Sequence, residues 1–372
     1  MRIVGVETVA VKPRWLLVKV ATDEGLVGWG EATLEGHIPA VAAEIGHWRE
    51  RLLGQDPRRI QHLWQGFYRH AFYRGGPVQC SALSGLEQAL WDIVGRWLGV
   101  PVHAMLGGAV RERVRLYRHV GGDGPEELAQ AGRHAVAAGF TALKTGGLDP
   151  GRSPMEPPQV VRRAVQRIEA LRQAVGPTVD IGIDLHGRAS PALAIRLARA
   201  LEPYDPAFIE EPCLPESVTA LAQVARATSI PIATGERLYT KWGFREVLAQ
   251  GAAAILQPDL SHAGGILECR FIAAMAEAYF VSVAPHCPLG PVALAACLQL
   301  DACIPNFAVQ EHVSLGEGYL KKPFLLEDGH VRVPEGPGLG IEVDEEALAQ
   351  HADEGLWRNP AAYAEDGSVS DW

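Results

Sequence analysis

Apolar and polar residues alternate through the first 30 or so positions, as in Arg2-Ile3-Val4-Gly5-Val6 and Leu16-Leu17-Val18-Lys19-Val20, around a Thr22-Asp23-Glu24-Gly25 turn. A period of two puts one face of an extended chain on a core, so this stretch predicts antiparallel strands. From Ile38 to about Met105 the period lengthens. Ala82, Leu83, Leu86, Ala89, Leu90, Ile93 and Trp97 recur at steps of three and four, the spacing of one helical face. Strands followed by helices predict an α+β domain over residues 1–113, with Leu106-Gly107-Gly108 breaking the helical run near its end.

Beyond Val114 the pattern becomes repetitive. Short apolar runs alternate with helical stretches: Thr141-Ala142-Leu143-Lys144, Val179-Asp180-Ile181-Gly182-Ile183-Asp184, Ala207-Phe208-Ile209-Glu210, Pro231-Ile232-Ala233-Thr234, Ala254-Ile255-Leu256-Gln257, Val281-Ser282-Val283-Ala284 and Phe307-Ala308-Val309-Gln310. Such alternation predicts a parallel sheet covered by helices. No G-x-G-x-x-G follows the first run and no phosphate-loop motif occurs, which favours a closed barrel over a dinucleotide-binding sheet. In barrels of this kind the reactive groups stand at the C-terminal ends of several strands. Asp184, Glu210, Glu236, Asp259, His286 and Glu311 follow that rule, spaced by 26, 26, 23, 27 and 25 residues, about one strand-plus-helix unit each.

Composition narrows the function. The 372 residues carry 34 Lys and Arg against 44 Asp and Glu, a net charge of −10 that repels phosphate backbones and anionic lipid. Nucleic acid and membrane partners are not expected. The N-terminus lacks the basic-then-apolar order of a signal peptide and no apolar run reaches the length of a spanning helix, so a cytoplasmic protein is expected. Six cysteines without a CxxC pair read as reduced thiols.

Asp184, Glu210 and Glu236 end consecutive strands, so their carboxylates are expected side by side. Three such charges stay ionised together only with a cation, and oxygen-only ligation suits Mg2+, with Mn2+ as a substitute. Glu211, adjacent to Glu210, should point the other way. His286 and Asp259 end neighbouring strands, and an Asp behind a His fixes its tautomer and raises its basicity, as a general base requires. His186 shares a face with Asp184 if that strand runs two residues further. Glu311, if held protonated, would donate a hydrogen bond to a substrate oxygen as charge grows there. His262 and His312 read as structural, and Cys287 should face away from His286. Together these groups suit proton abstraction next to a carboxylate, where the enediolate needs strong stabilisation.

Ile183-Asp184-Leu185-His186-Gly187-Arg188, Ile209-Glu210-Glu211-Pro212, Gly235-Glu236-Arg237, Gln257-Pro258-Asp259-Leu260-Ser261-His262-Ala263-Gly264-Gly265 and Ala284-Pro285-His286-Cys287-Pro288-Leu289-Gly290-Pro291 resemble the mandelate racemase subgroup of the enolase superfamily, and within it the acid-sugar dehydratases. Phe72-Tyr73-Arg74-Gly75-Gly76-Pro77, Ala89-Leu90-Trp91-Asp92-Ile93 and Ser368-Val369-Ser370-Asp371-Trp372 extend the likeness almost end to end. The resemblance implies an N-terminal capping domain (1–113), a modified TIM barrel of (β/α)7β type (114–340) and a C-terminal segment (341–372) packing back on the cap. It implies Mg2+ on Asp184, Glu210 and Glu236, His286 as base with Asp259 behind it, His186 as acid for the leaving C3 hydroxyl, and Glu311 steadying the enediolate. It also implies a small acid-sugar substrate, no redox cofactor and a homo-oligomer.

One departure stands out. Racemases of the subgroup carry Lys-x-Lys on the second barrel strand, whereas Lys144-Thr145-Gly146 keeps only the first Lys, and the dehydratases place Asn at the position of Gly146. The stereochemistry of the sugar is therefore open. Lys144 is expected to contact the substrate carboxylate or to pair with a metal ligand, and loops bearing Trp15, Glu35, His37 and Tyr73-Arg74 to read the distal hydroxyls. Alternatives to the dehydratase are one for another aldonate or aldarate, an epimerase using His186 and His286 from opposite faces, and a sugar-acid binding protein without turnover.

Overall fold

A computed structural model describes residues 1–148, 157–353, 357–364 and 366–371; Trp372 of the terminal motif lies outside the described residues. Strands β1 (Ile3–Val11), β2 (Trp15–Thr22) and β3 (Val27–Glu31) form an antiparallel sheet in that order. The turn at Thr22–Gly25 joins β2 to β3, and a second reversal at residues 12–14, which alternation alone did not mark, joins β1 to β2. Helices α1 (Ile38–Leu52), α2 (Ile60–His70), α3 (Pro77–Leu98) and the short α4 (Val102–Met105) follow. Ile3, Val6, Leu16, Val18 and Val20 pack against Val41, Ile45, Trp48, Leu63, Phe67, Leu83, Leu86 and Leu90 in a separate core. Helix α3 presses on β3 so closely that a Cβ at Gly28 would lie 2.2 Å from the Ala89 carbonyl, and one at Gly30 2.0 Å from that of Gly85. Only glycine permits that approach.

After β4 (Arg113–Arg115) come β5 (Arg118–His119), α5 (Pro125–Ala137), β6 (Ala142–Gly146), α6 (Pro158–Val175), β7 (Asp180–Asp184), α7 (Pro191–Leu201), β8 (Phe208–Glu210), α8 (Val218–Ala225), β9 (Ile232–Thr234), α9 (Thr240–Gln250), β10 (Ile255–Leu256), α10 (Ile266–Ala278), β11 (Ser282–Val283) and α11 (Pro291–Cys303). Strands β5 to β11 form one parallel sheet in chain order. The predicted strand Phe307–Gln310 is not a regular strand. It is held by single parallel bridges, Val283 to Phe307 on one side and Leu116 to Gln310 on the other, and these close the ring as its eighth stave. Eight staves and seven helices make the (β/α)7β barrel.

Past the barrel, β12 (Leu326–Glu327) and β13 (His330–Arg332) pair onto β4, and α12 (Glu345–Gln350) leads back to the N-terminal sheet. There the Lys12 amide donates to the His351 carbonyl (2.8 Å), the Asp353 amide to Ala10 (3.0 Å), and Lys19 pairs with Glu345. No helix among the described residues is long and apolar enough to cross a membrane. The six cysteines are free and buried.

A polar seam on the cap grips the barrel loops that follow β10 and β11. Ser84 Oγ accepts from the Gly264 amide (2.9 Å), Gln88 Nε2 donates to the Leu260 carbonyl (3.0 Å), and Glu87 accepts from the Ile266 and Leu267 amides (2.7 and 3.0 Å) at the start of α10. Glu31, at the end of β3, accepts from Gly290 and Ala293 (2.7 and 3.0 Å) at the start of α11. The first amides of a helix have no partner inside it, and here two buried carboxylates of the other domain supply one. Burial pushes both Glu31 and Glu87 up to about 7, against the pull of those amides.

Candidate active site

Asp184 and Glu210 are the last residues of β7 and β8 and lie directly opposite each other in register; Glu236 stands two residues past β9. Oxygens of the three carboxylates lie within 4.8 Å of one another. Lys144 on β6 answers part of this charge: its Nζ donates to both Glu210 oxygens (2.8 and 2.9 Å) and lies 3.2 Å from Asp184 Oδ2. One ammonium does not balance three carboxylates. Burial, then Asp184, pushes Glu210 well above the usual carboxylate range, and burial, then Glu211, pushes Glu236 up to about 8. Asp184 sits lower than usual, because Lys144 and His186 outweigh its burial. Three converging oxygen donors, two buried and Glu236 partly so, with excess negative charge and no thiolate among them, fit a hard divalent cation. Of the two expectations for Lys144, its contacts match pairing with these carboxylates. Glu211 turns to Arg237, whose Nε donates to it at 3.1 Å.

His286 follows β11, and Asp259 follows β10; a parallel bridge joins the two residues. Asp259 Oδ2 lies 2.8 Å from His286 Nδ1, leaving Nε2 toward the cleft, 3.3 Å from Glu236. Burial works against protonation of His286, but Glu311, Glu236 and Asp259 outweigh it and raise its basicity well above that of free imidazole. The Cys287 thiol is turned away, hydrogen-bonded to Cys297. His186 reaches the site by another route than the one expected. Strand β7 stops at Asp184, and a left-handed turn at His186 (φ 49°) carries the ring back to Asp184, with Nε2 3.3 Å from Oδ2. Burial lowers its basicity.

Glu311 corrects an expectation. The donor role requires a neighbouring acceptor to keep it protonated, but its neighbours are donors themselves: the Cys287 amide on Oε2 (2.7 Å), with His119 Nε2 (2.7 Å) and Lys144 Nζ (3.1 Å) on Oε1. Although burial opposes ionisation, Lys144, His286 and His119 hold the carboxyl well below its usual range. Glu311 is an ionised acceptor in this arrangement.

Asp184, His186, Glu236, His286, Lys144 and Glu311 border a cleft of about 510 Å³ whose wall also includes His119, Gly146, Arg14, Glu35, His37 and Tyr239. His37 is thus on the cleft wall. Trp15 is not: as the first residue of β2 it turns inward, buried against Tyr319, and its neighbour Arg14 takes the cleft side, paired with Glu35 at 2.6 Å. β2 begins at Trp15, so the cleft-facing side chain of this loop is that of Arg14, the last residue of the preceding reversal. Arg74 is not part of the wall either; its guanidinium lies over the ring of Tyr68, 5.8 Å from the centroid. His119 went unnoticed because its stave is two polar residues long and offers no hydrophobic pattern.

Residues 3–107 match the family model for the mandelate racemase / muconate lactonizing enzyme N-terminal domain, and residues 126–347 match that for the enolase C-terminal domain-like fold. The chain belongs to the mandelate racemase and muconate lactonizing enzyme family of the enolase superfamily. Within this family the chain is 47% identical to proteins described as D-galactonate dehydratase from Ralstonia nicotianae and Variovorax paradoxus, with both members of each pair covered in full. Among solved structures, a mandelate racemase/muconate lactonizing enzyme from Jannaschia sp. CCS1 is 36% identical with a TM-score of 0.89, over 95% of this chain and 98% of that one. An enolase superfamily member from Salmonella Typhimurium is 32% identical with a TM-score of 0.88, over 94% and 98%.

Proposed function

We propose that this family member dehydrates an acid sugar, with D-galactonate as the leading substrate and 2-dehydro-3-deoxy-D-galactonate as product. The full-length likeness to curated D-galactonate dehydratases supports the reaction class. The observation that carries the mechanism is the position of His286 Nε2, open to the cleft beside the Asp184–Glu210–Glu236 cluster, with Nδ1 fixed by Asp259.

Asp184, Glu210 and Glu236 would hold Mg2+, which when bound polarises the substrate carboxylate and stabilises charge on its oxygens. His286 Nε2 takes the C2 proton, and the C–H electron pair moves into the carboxylate. His186, on the other side of the cluster, gives its proton to the C3 hydroxyl, which leaves as water while a C2–C3 double bond forms. The resulting enol takes a proton at C3 and becomes the 2-keto-3-deoxy acid. Lys144 keeps Glu210 and Asp184 in place, and Arg14, Glu35 and His37 border the far end of the cleft, where distal hydroxyls would sit.

Gly146 favours a second reading within the same chemistry. It lies on the cleft wall at the end of β6, opposite Asp184 in register, and a Cβ there would meet nothing within 4 Å. That open space suits an aldonate of different stereochemistry. Assaying 2-keto acid formation across a panel of aldonates and aldarates with Mg2+ separates the two readings, and C2 hydrogen exchange without a 2-keto product would instead indicate an epimerase. The same reading includes a homo-oligomer working in the cytoplasm, and light scattering tests the assembly.

A further inference from the structure

Glu311 poses a physical difficulty for the reaction proposed above. A substrate carboxylate whose charge is growing toward the enediolate must share the cleft with a second carboxylate, surrounded by donors and ionised. Two anionic oxygens meet favourably only with a proton between them. The Cys287 amide cannot release one, and Lys144 is buried and tied to Glu210 and Asp184. His286 lies 3.9 Å away and already serves as the base. His119 remains. Its Nε2 is 2.7 Å from Glu311 Oε1, its side chain is 41% exposed where Glu311 is 1% exposed, and it lines the cleft.

We propose that His119 is the proton reservoir of Glu311. As substrate charge develops, the protonated form of His119 gives its Nε2 proton to Glu311 Oε1 and is left as neutral imidazole, and the carboxylic acid so formed hydrogen-bonds the enediolate oxygen. The proton returns when the negative charge collapses, so the pair ends each cycle as it began. This rests on the dehydratase reading and adds a residue to it. His119 acts through Glu311 and is a positioning residue, seated edge-on against Tyr117 on its own stave, 5.4 Å between ring centroids. The charged and titratable groups facing the pair are Lys144 from β6, His286 after β11, His312 beside Glu311, and Tyr117.

The test uses the full-length Mg2+-loaded protein and the variants His119→Ala and His119→Gln. For His119→Ala, kcat on D-galactonate should fall roughly tenfold or more with KM little changed. Added imidazole should restore part of the lost rate to His119→Ala, whereas His119→Gln, which keeps a donor without a transferable proton, should stay slow. Binding of D-galactonohydroxamate, a stable enediolate mimic, should weaken roughly tenfold in calorimetry. Wild-type kcat in His119→Ala, or a loss that imidazole does not relieve, overturns the inference. Equal hydroxamate affinity in both proteins overturns it as well. If the wild type dehydrates no acid sugar, the functional reading fails separately, while the binding comparison still decides the role of His119.

Discussion

Lys144 Nζ lies between the two oxygens of Glu210, at 2.8 and 2.9 Å, and so places one fixed positive charge beside the position assigned to a mobile one. A cation that binds only the native carboxylate cluster stabilises the fold by mass action. Adding Mg2+ to chelator-stripped protein should raise Tm progressively, and Glu236→Gln should reduce the rise. A Tm indifferent to Mg2+ and Mn2+ would contradict the metal assignment.

His286 and Asp259 act as a unit in this account. His286→Asn should lower turnover by roughly 10²–10⁴-fold, while the Mg2+-dependent shift in Tm is largely retained. Asp259→Asn should lower turnover by roughly 10²-fold, because the acceptor that sets the imidazole tautomer is lost. Unchanged turnover in either variant removes the proposed base.

The roles of the two histidines can be separated by isotope. In D2O, His186→Asn should form no 2-keto acid but still exchange the C2 hydrogen of the substrate, since His286 is intact. Proton NMR reads both events. Retained dehydration would refute the acid role of His186.

The buried carboxylates of the domain seam yield a pH prediction. Folding raises Glu31 and Glu87 from 4.5 to about 7, so between those values the folded state holds more protons than the unfolded chain and stability falls as pH rises. For Glu31→Gln the stability advantage of the wild type should shrink between pH 5 and pH 8 by up to about 3 kcal/mol, read by urea unfolding. An advantage that grows with pH would have the wrong sign. Because Glu31 and Glu87 secure the helices that follow His286 and Asp259, their Gln variants should also lose kcat more than KM.

Gly146→Asn fills open space on the cleft wall without displacing a neighbour. It should shift relative kcat/KM across the aldonate panel by roughly tenfold while leaving stability within about 0.5 kcal/mol of wild type. An unchanged substrate ranking would show that this position does not read the sugar.

Much of this architecture can be read in the sequence because a barrel repeats. Each strand-plus-helix unit brings one chain end to the same rim, so Asp184, Glu210, Glu236, Asp259, His286 and Glu311 reveal themselves by spacing before any geometry is known. What repetition does not encode stayed hidden. His119 sits on a two-residue stave with no apolar signature. Trp15 and Arg14 exchange roles because β2 begins at Trp15, a boundary the hydrophobic pattern does not fix to one residue. His186 depends on a left-handed turn rather than on strand continuation. The charge state of Glu311 is set by Lys144, His286 and His119, which arrive from three distant parts of the chain.

The most direct measurement is proton NMR of D-galactonate incubated in D2O with the Mg2+-loaded protein, before and after chelation. A 2-keto-3-deoxy acid should form, stop forming when the metal is removed, resume when Mg2+ is restored, and not form with His286→Asn. Full-rate product formation by thoroughly chelated protein, or by His286→Asn, would contradict the proposed mechanism.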